Sequence, residues 1–217
     1  EYSSTGMRVE FSFEGKSIGT DLSVHSEFEV ANVAAALAAF LSMGHSIDKL
    51  INLLPQLASV PGRMQQIPGP KGCPTVILDY AHTPDALERV LSACRHNCEG
   101  RLISLIGCGG GRDSGKRPIM GQVAIENSDV CYFTSDNPRD EDPLEILTNM
   151  TSSITNLEKR RVNLIIDRSE AIRAAIDLGR EKDWVVIAGK GHETTQEVRG
   201  RLLPLNDLEI ISEVFGY

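Results

Sequence analysis

Beyond residue 75 the chain repeats one pattern: a short apolar run rich in β-forming residues, then a segment with helical spacing. The runs cover 76–78, 102–106, 130–134, 162–166 and 184–188. Strands that are apolar on both faces must be covered on both, and helices between them supply the cover. The pattern predicts an α/β fold built on a Rossmann-like, doubly wound, mostly parallel sheet. Thr83-Pro84-Asp85 opens the first helix with a cap residue, a proline and an acid at the positive helix end. Leu87, Val90, Leu91 and Cys94 then follow at helical spacing. Further helices are expected over 118–126, 143–154 and 169–178. Val198-Arg199-Gly200-Arg201 reads as a hairpin turn, and 207–215 as a closing helix.

The first part of the chain reads differently. Residues 7–13 alternate in polarity, Glu14-Gly15-Lys16 supplies a turn, and 17–23 returns as a second strand. The Ala-rich run 28–43 predicts a buried helix, and Ser46 a cap for a second helix through Leu50, Ile51, Leu53 and Leu54. Val60-Pro61-Gly62-Arg63 and the Pro/Gly-rich run 68–74 break regular structure. A domain boundary is expected between residues 64 and 73, giving units 1–67 and 68–217.

Charge and composition exclude several classes. A net charge of −8 argues against a nucleic-acid surface. The longest apolar run, 34–41, falls far short of the ~20 residues a membrane helix needs. Cys73, Cys94, Cys98, Cys108 and Cys131 are odd in number and show no disulfide framework, so a reducing, cytoplasmic location is expected. Cys94 and Cys98 read as two thiols on one helix face, because no His or second Cys pair completes a metal-ligand set. Glu1-Tyr2-Ser3-Ser4 has neither an initiator Met nor a signal pattern, and a fragment of a longer, monomeric protein is expected.

The chemistry-bearing residues collect at strand ends. Residues 79–82, 107–113, 135–139 and 189–193 would all lie on one edge of a parallel sheet, where ligands bind in such folds. Asp136-Asn137-Pro138-Arg139 presents an acid, an amide and a guanidinium together, a set suited to an amino acid's two charged ends. The run from Gly110 to Lys116 matches Gly-x4-Gly-Lys, but Arg117 stands where a P-loop needs Ser or Thr. It also fails the dinucleotide fingerprint. A loop feeding a helix N-terminus remains, with Arg112, Lys116 and Arg117 favouring an anion. Asp79 reads as a ribose ligand or a cap, His82 as a site residue or a helix-entry hydrogen bond, and Arg63 as a phosphate contact or a solvated cation. Asn32 is an amide in an apolar helix, read as a bond to a neighbouring element or as a contact to a nucleotide base edge. His25, His45 and His96 read as surface residues.

Six segments in order resemble the Mur ligases: Phe28-x-Val30-x-Asn32, Pro61-Gly62-Arg63-Met64, 79–85, 107–117, Asp136-Asn137-Pro138-Arg139 with Glu141-Asp142-Pro143, and 189–193. The resemblance is greatest to the members that add meso-diaminopimelate. It implies the tail of a central α/β ATPase domain followed by a whole C-terminal domain, with the P-loop and a carbamylated lysine upstream, so that the catalytic residues lie outside this chain and it should not turn over alone. It implies ATP and Mg2+ as cofactors, UDP-N-acetylmuramoyl-L-alanyl-D-glutamate and meso-diaminopimelate as substrates, and amide formation through an acyl phosphate. Carried over by position, Arg112 and Arg139 would grip carboxylates. Asp136, Asn137, Pro138, Gly189 and Glu193 would serve the ammonium and the remaining contacts. Asn32, Arg63, Asp79 and His82 would face ATP. A lysine-adding relative, or a non-catalytic scaffold of the plastid type, are the alternatives. Glu29 and Gly111 depart from the common pattern.

Overall fold

The computed structural model describes residues 2–3, 6–24, 26–57, 59–155 and 161–217, and the surface reading of His25 falls outside them. Two compact units divide at Val60 and Pro61. The division falls seven residues before the boundary expected at 67/68. Gln65–Ile67, which carry no readable pattern of their own, pair antiparallel with the first strand of the second unit and so belong to it.

In the first unit β1 (Tyr2–Ser3), β2 (Gly6–Phe13) and β3 (Lys16–Leu22) form an antiparallel sheet. Glu14 and Gly15 both take positive φ, which gives the tight turn a hairpin twist requires. Helix α1 (Glu27–Ser42) starts at Ser26, whose hydroxyl accepts from the Glu29 amide. It is followed by the short α2 (Ile47–Ile51) and a 3-10 turn at Leu54–Gln56. Leu22, Leu37, Ile51 and Leu54 make the core.

Two expectations fail in this unit. Helix α1 is not buried: within it only Leu37 is, and Asn32 is exposed. An alanine run scores as apolar but has little side chain to bury, and the small sheet covers one face only. Ser46 makes no side-chain cap, and the helix it begins stops at Ile51 rather than continuing to Leu54.

The second unit carries the expected sheet. Its order is β4 (Gln65–Ile67), β5 (Thr75–Asp79), β9 (Trp184–Ala188), β6 (Leu102–Ile106), β7 (Val130–Phe133) and β8 (Val162–Leu164). All neighbours are parallel except the β4–β5 pair. Helices α3 (Pro84–Asn97), α4 (Lys116–Asn127) and α5 (Pro143–Met150) link β5, β6, β7 and β8 in turn. They pack in series against one another, as right-handed crossovers advancing in one direction require. Helix α6 (Arg168–Leu178) then carries the chain back from β8 to β9, between β5 and β6. That reversal puts α6 on the opposite face, where it packs with α7 (Asp207–Phe215) over Val76, Leu78, Ile103, Leu105, Val185 and Ile187. The sheet is therefore doubly wound. The hairpin of β10 (Thr195–Val198) and β11 (Arg201–Pro204) follows β9. Helix α5 ends four residues before the expected 154, in a run of turns. No described helix is long and apolar enough to cross a membrane.

Candidate functional site

The strand order places β5, β9, β6 and β7 side by side. The four unusual loops thus leave adjacent strands at the same, carboxyl edge. Their convergence is close. Gly189 has φ +112, and a β-carbon there would lie 2.9 Å from an Asp136 carboxylate oxygen, so the acid rests directly on the glycine backbone. A β-carbon on Gly109 would lie 3.0 Å from Arg139 Nη1 and 3.8 Å from Arg112 Cγ, so the two guanidinium side chains flank one point of the Gly-rich loop.

Arg139 is held in an unusual conformation. Its φ is +52, and its backbone is clasped by the β10–β11 hairpin: its N–H donates to the Glu197 carbonyl at 3.0 Å, and its own carbonyl accepts from the Arg199 N–H at 2.8 Å. Nη1 donates to the Gly110 carbonyl at 2.7 Å, and Nε lies 3.0 Å from Glu197 Oε2. Gln196 donates to the Asp136 carbonyl at 2.6 Å. Sequence reasoning saw only a turn in this hairpin, whereas its first strand is what shapes the Asp136–Arg139 loop.

Glu193 stands beside Asn137. The Asn137 amide donates to Glu193 Oε2 at 3.1 Å, and its carbonyl oxygen accepts from Lys190 Nζ at 3.1 Å and from the Glu197 N–H at 2.9 Å. Lys190 also donates to Glu193 Oε2 at 2.8 Å. Burial raises the Glu193 pKa, but hydrogen bonds from Lys190 and Asn137, the Lys190 charge and a Tyr80 hydrogen bond outweigh it and hold the carboxyl below its usual range. Both lone pairs of the Asn137 side-chain oxygen are thus engaged within the protein, and its amide orients Glu193. Pro138 follows in the same loop. It is buried, its carbonyl sits against Gly110, and it lines a separate cavity of about 650 Å³ with Ser135, Arg168, Gln196 and Leu205.

The Gly-rich loop departs from the anion reading at two of three cations. Arg117 is buried and pairs with both oxygens of Glu141 at 2.8 and 2.9 Å. Glu141 also accepts from the Gly111 N–H at 2.6 Å, so this pair fastens the Gly-rich loop to the segment after Arg139. Lys116 donates to the His82 carbonyl at 2.7 Å. Arg112 is exposed. Burial pushes the Cys108 thiol up to about 12, which leaves it un-ionised and unsuited to nucleophilic chemistry.

On the β5 side, Asp79 is structural. Its oxygens accept from the Met64 N–H at 2.8 Å and the Ala81 N–H at 2.7 Å, and it is buried. Burial raises its pKa against those two amides and the Arg63 charge. The ribose reading gives way to the cap reading, since a buried carboxylate already bonded to two amides has no outward face. His82 Nδ1 lies 2.9 Å from the Tyr80 carbonyl. A carbonyl only accepts, so Nδ1 is the donor of this bond. The exposed Arg63 guanidinium lies 4.8 Å over the Tyr80 ring. Gly62 makes this approach feasible: at φ +68, a β-carbon there would be 2.3 Å from the His192 nitrogen. Asn32 lies in the other unit, exposed on α1. Among the described residues no group of three or more His, Cys, Asp or Glu is placed to hold a metal ion.

An acid on a glycine, a second acid pinned by a lysine, and the Arg139 and Arg112 side chains beside a glycine-rich turn thus converge at the carboxyl edge of an α/β sheet. The family model "Mur ligase, glutamate ligase domain" matches residues 62–191, and the chain belongs to the Mur ligase family. It is 47% identical over 182 residues to the UDP-N-acetylmuramoyl-L-alanyl-D-glutamate–2,6-diaminopimelate ligase of Coxiella burnetii, covering 84% of this chain and 37% of that protein. To the ligase of the same name from Aquifex aeolicus it is 42% identical over 211 residues, covering 97% and 43%. A solved structure of a ligase of that name superposes with a TM-score of 0.73 at 36% identity, covering 100% of this chain and 44% of that one. The chain thus spans less than half the length of these relatives.

Proposed function

We propose that this chain supplies the amino-acid-binding domain of an ATP-dependent ligase that adds meso-diaminopimelate to UDP-N-acetylmuramoyl-L-alanyl-D-glutamate. One observation carries the reading: Asp136 lies on Gly189 while Arg139 and Arg112 flank Gly109, on adjacent strand ends. An ammonium and a carboxylate on one small molecule match that pair of poles. Diaminopimelate carries both at its far end, whereas lysine carries only the ammonium. The relatives' names support the same assignment.

The residues have separate jobs in this reading. Arg139 and Arg112 hold the distal carboxylate. Asp136, the Gly189 carbonyl and Glu193 receive the distal ammonium. Asn137 and Glu197 keep the two poles apart. ATP, with Mg2+, would supply the phosphoryl group that activates the acceptor carboxylate. Arg63 and His82, cationic and hydrogen-bonding groups around the Tyr80 ring, fit the nucleotide side. The contribution of this domain is to hold the attacking amine in place, which lowers the entropic cost of bringing it to the activated carboxylate.

The test is amino-acid selectivity of the complete enzyme. Ligation of meso-diaminopimelate in strong preference to lysine is expected, and equal use of the two would overturn the reading. The isolated chain should give no ligation; turnover by the purified chain would refute that part.

A further inference from the structure

Lys190 stands in a glycine-rich turn, where a lysine is ordinarily solvated. In the structure it is completely buried, with 0% of its side chain exposed. A buried ammonium is costly unless paired and hydrogen-bonded. Lys190 meets that condition with two groups of the candidate site, Glu193 Oε2 at 2.8 Å and Asn137 Oδ1 at 3.1 Å. Asn137 closes the triangle by donating to the same Glu193 oxygen at 3.1 Å.

We propose that Lys190 is the positioning residue that makes Glu193 a fixed, ionised acceptor for the ammonium of the incoming amino acid. The proposal rests on the amino-acid-binding reading above. The geometry has three consequences. The Lys190 charge offsets the burial of Glu193, so that carboxylate stays charged where an isolated one would take up a proton. It commits Oε2 to the protein and so fixes the rotamer. It also fixes which way round the Asn137 amide lies, since only the carbonyl oxygen can accept from an ammonium. Asn137 in turn links to β10 through the Glu197 N–H, so one buried cation ties the 189–193 loop, the Asp136–Arg139 loop and the hairpin into one unit.

The other charged and titratable groups facing Glu193 come from three further elements. Tyr80, after β5, donates to it. Arg168, at the start of α6, acts on both Glu193 and Asp136 through its charge, and Asp136 follows β7. Arg168 is neutralised by a two-point pair with Asp207 at 2.9 and 2.7 Å. Lys190 is therefore the only cation among these bonded directly to Glu193.

The test reads titration and binding separately. In the isotopically labelled chain, the Glu193 side-chain carbonyl signal and the Lys190 Nζ signal should move with one common midpoint, below the ordinary glutamate range. Independent midpoints would overturn the proposal without any variant being needed. In Lys190→Met the Glu193 midpoint should rise above that of the parent chain. In the complete ligase the same substitution should raise KM for meso-diaminopimelate about ten-fold or more, with kcat changed less than about three-fold. An unmoved Glu193 midpoint or an unmoved KM in folded Lys190→Met overturns it. A parent ligase that does not use meso-diaminopimelate would instead sink the functional reading, while the shared midpoint tests the Lys190–Glu193 coupling by itself.

Discussion

Arg139 Nε lies 3.0 Å from Glu197 Oε2, so the cation expected to hold a ligand's carboxylate already has an anionic neighbour. The pair is part-exposed, at 25% and 36% of the two side chains. Such pairs contribute little to stability, typically below about 1 kcal/mol. Its effect is geometric. Glu197 and the Gly110 carbonyl take Nε and Nη1, so the guanidinium is anchored between the hairpin and the Gly-rich loop. Arg139 is thus pre-aimed before any ligand arrives, on a backbone whose positive φ the hairpin enforces.

The first prediction concerns that fork. Arg139→Ala in the complete ligase should raise KM for meso-diaminopimelate by roughly 30-fold or more, the scale for losing one partner of a hydrogen-bonded charge pair. Arg139→Lys should be nearly as damaging, because lysine keeps the charge but cannot bond Glu197, Gly110 and a ligand at once. Steady-state kinetics with diaminopimelate and lysine as competing substrates decides it. A near-normal KM for Arg139→Lys would show that the fork is not used.

A second prediction follows from the ion pair under the site. Arg168 and Asp207 are both fully buried and bonded at two points, and Arg168 also donates to the Ala188 carbonyl at the end of β9. Removing one partner leaves an uncompensated buried charge, at about 3–5 kcal/mol. Arg168→Met should destabilise the chain by that amount. Arg168→Met with Asp207→Leu should recover much of the loss, since replacing both charges removes the desolvation penalty. Urea midpoints of the parent, the single and the double variant measure it.

The fold was legible where side-chain period was strong. The strands at 102–106 and 184–188 lie fully or almost fully buried in the sheet, and the β-rich apolar run announces that. The loops were legible as a set because chemistry at four strand ends converges only if the strands are parallel and adjacent. Individual roles were not legible. Asp79, Asn137 and Arg117 look like ligand groups in one dimension, but each is consumed by a partner far along the chain: Met64, Lys190 and Glu141. Lys190 errs in the opposite direction, since nothing local marks a lysine as buried. The alanine-rich α1 misled because period and composition do not say how much surface is present to cover it.

Gly121 gives a third prediction, independent of function. It lies inside α4, where alanine would normally be favoured by about 1 kcal/mol. A β-carbon there would fall 1.9 Å from the Met150 carbonyl oxygen and 2.9 Å from its carbon, both rigid backbone at the end of α5. Gly121→Ala should therefore destabilise by about 1–3 kcal/mol or more, as overpacking does. Thermal unfolding of the two chains checks it, and a stabilised variant would mean that α4 and α5 separate at no cost.

The last prediction concerns acid. Glu193 has a folded-state pKa below its ordinary value: burial alone would raise it, but Lys190, Asn137 and Tyr80 together overcome that. An acid whose pKa is depressed on folding contributes stability that is fully present above its unfolded pKa, about 4.3 for glutamate. The contribution is lost as pH falls through the lower, folded-state value. Glu193→Gln removes the charge and keeps the shape, so it should be less stable than the parent at neutral pH. The difference should shrink as the pH is lowered below the ordinary glutamate range and close once the folded-state group is protonated. Urea midpoints for both chains across that acid range give the difference directly. A gap that stays constant down to strongly acid pH would mean that the Glu193 charge does not stabilise the fold.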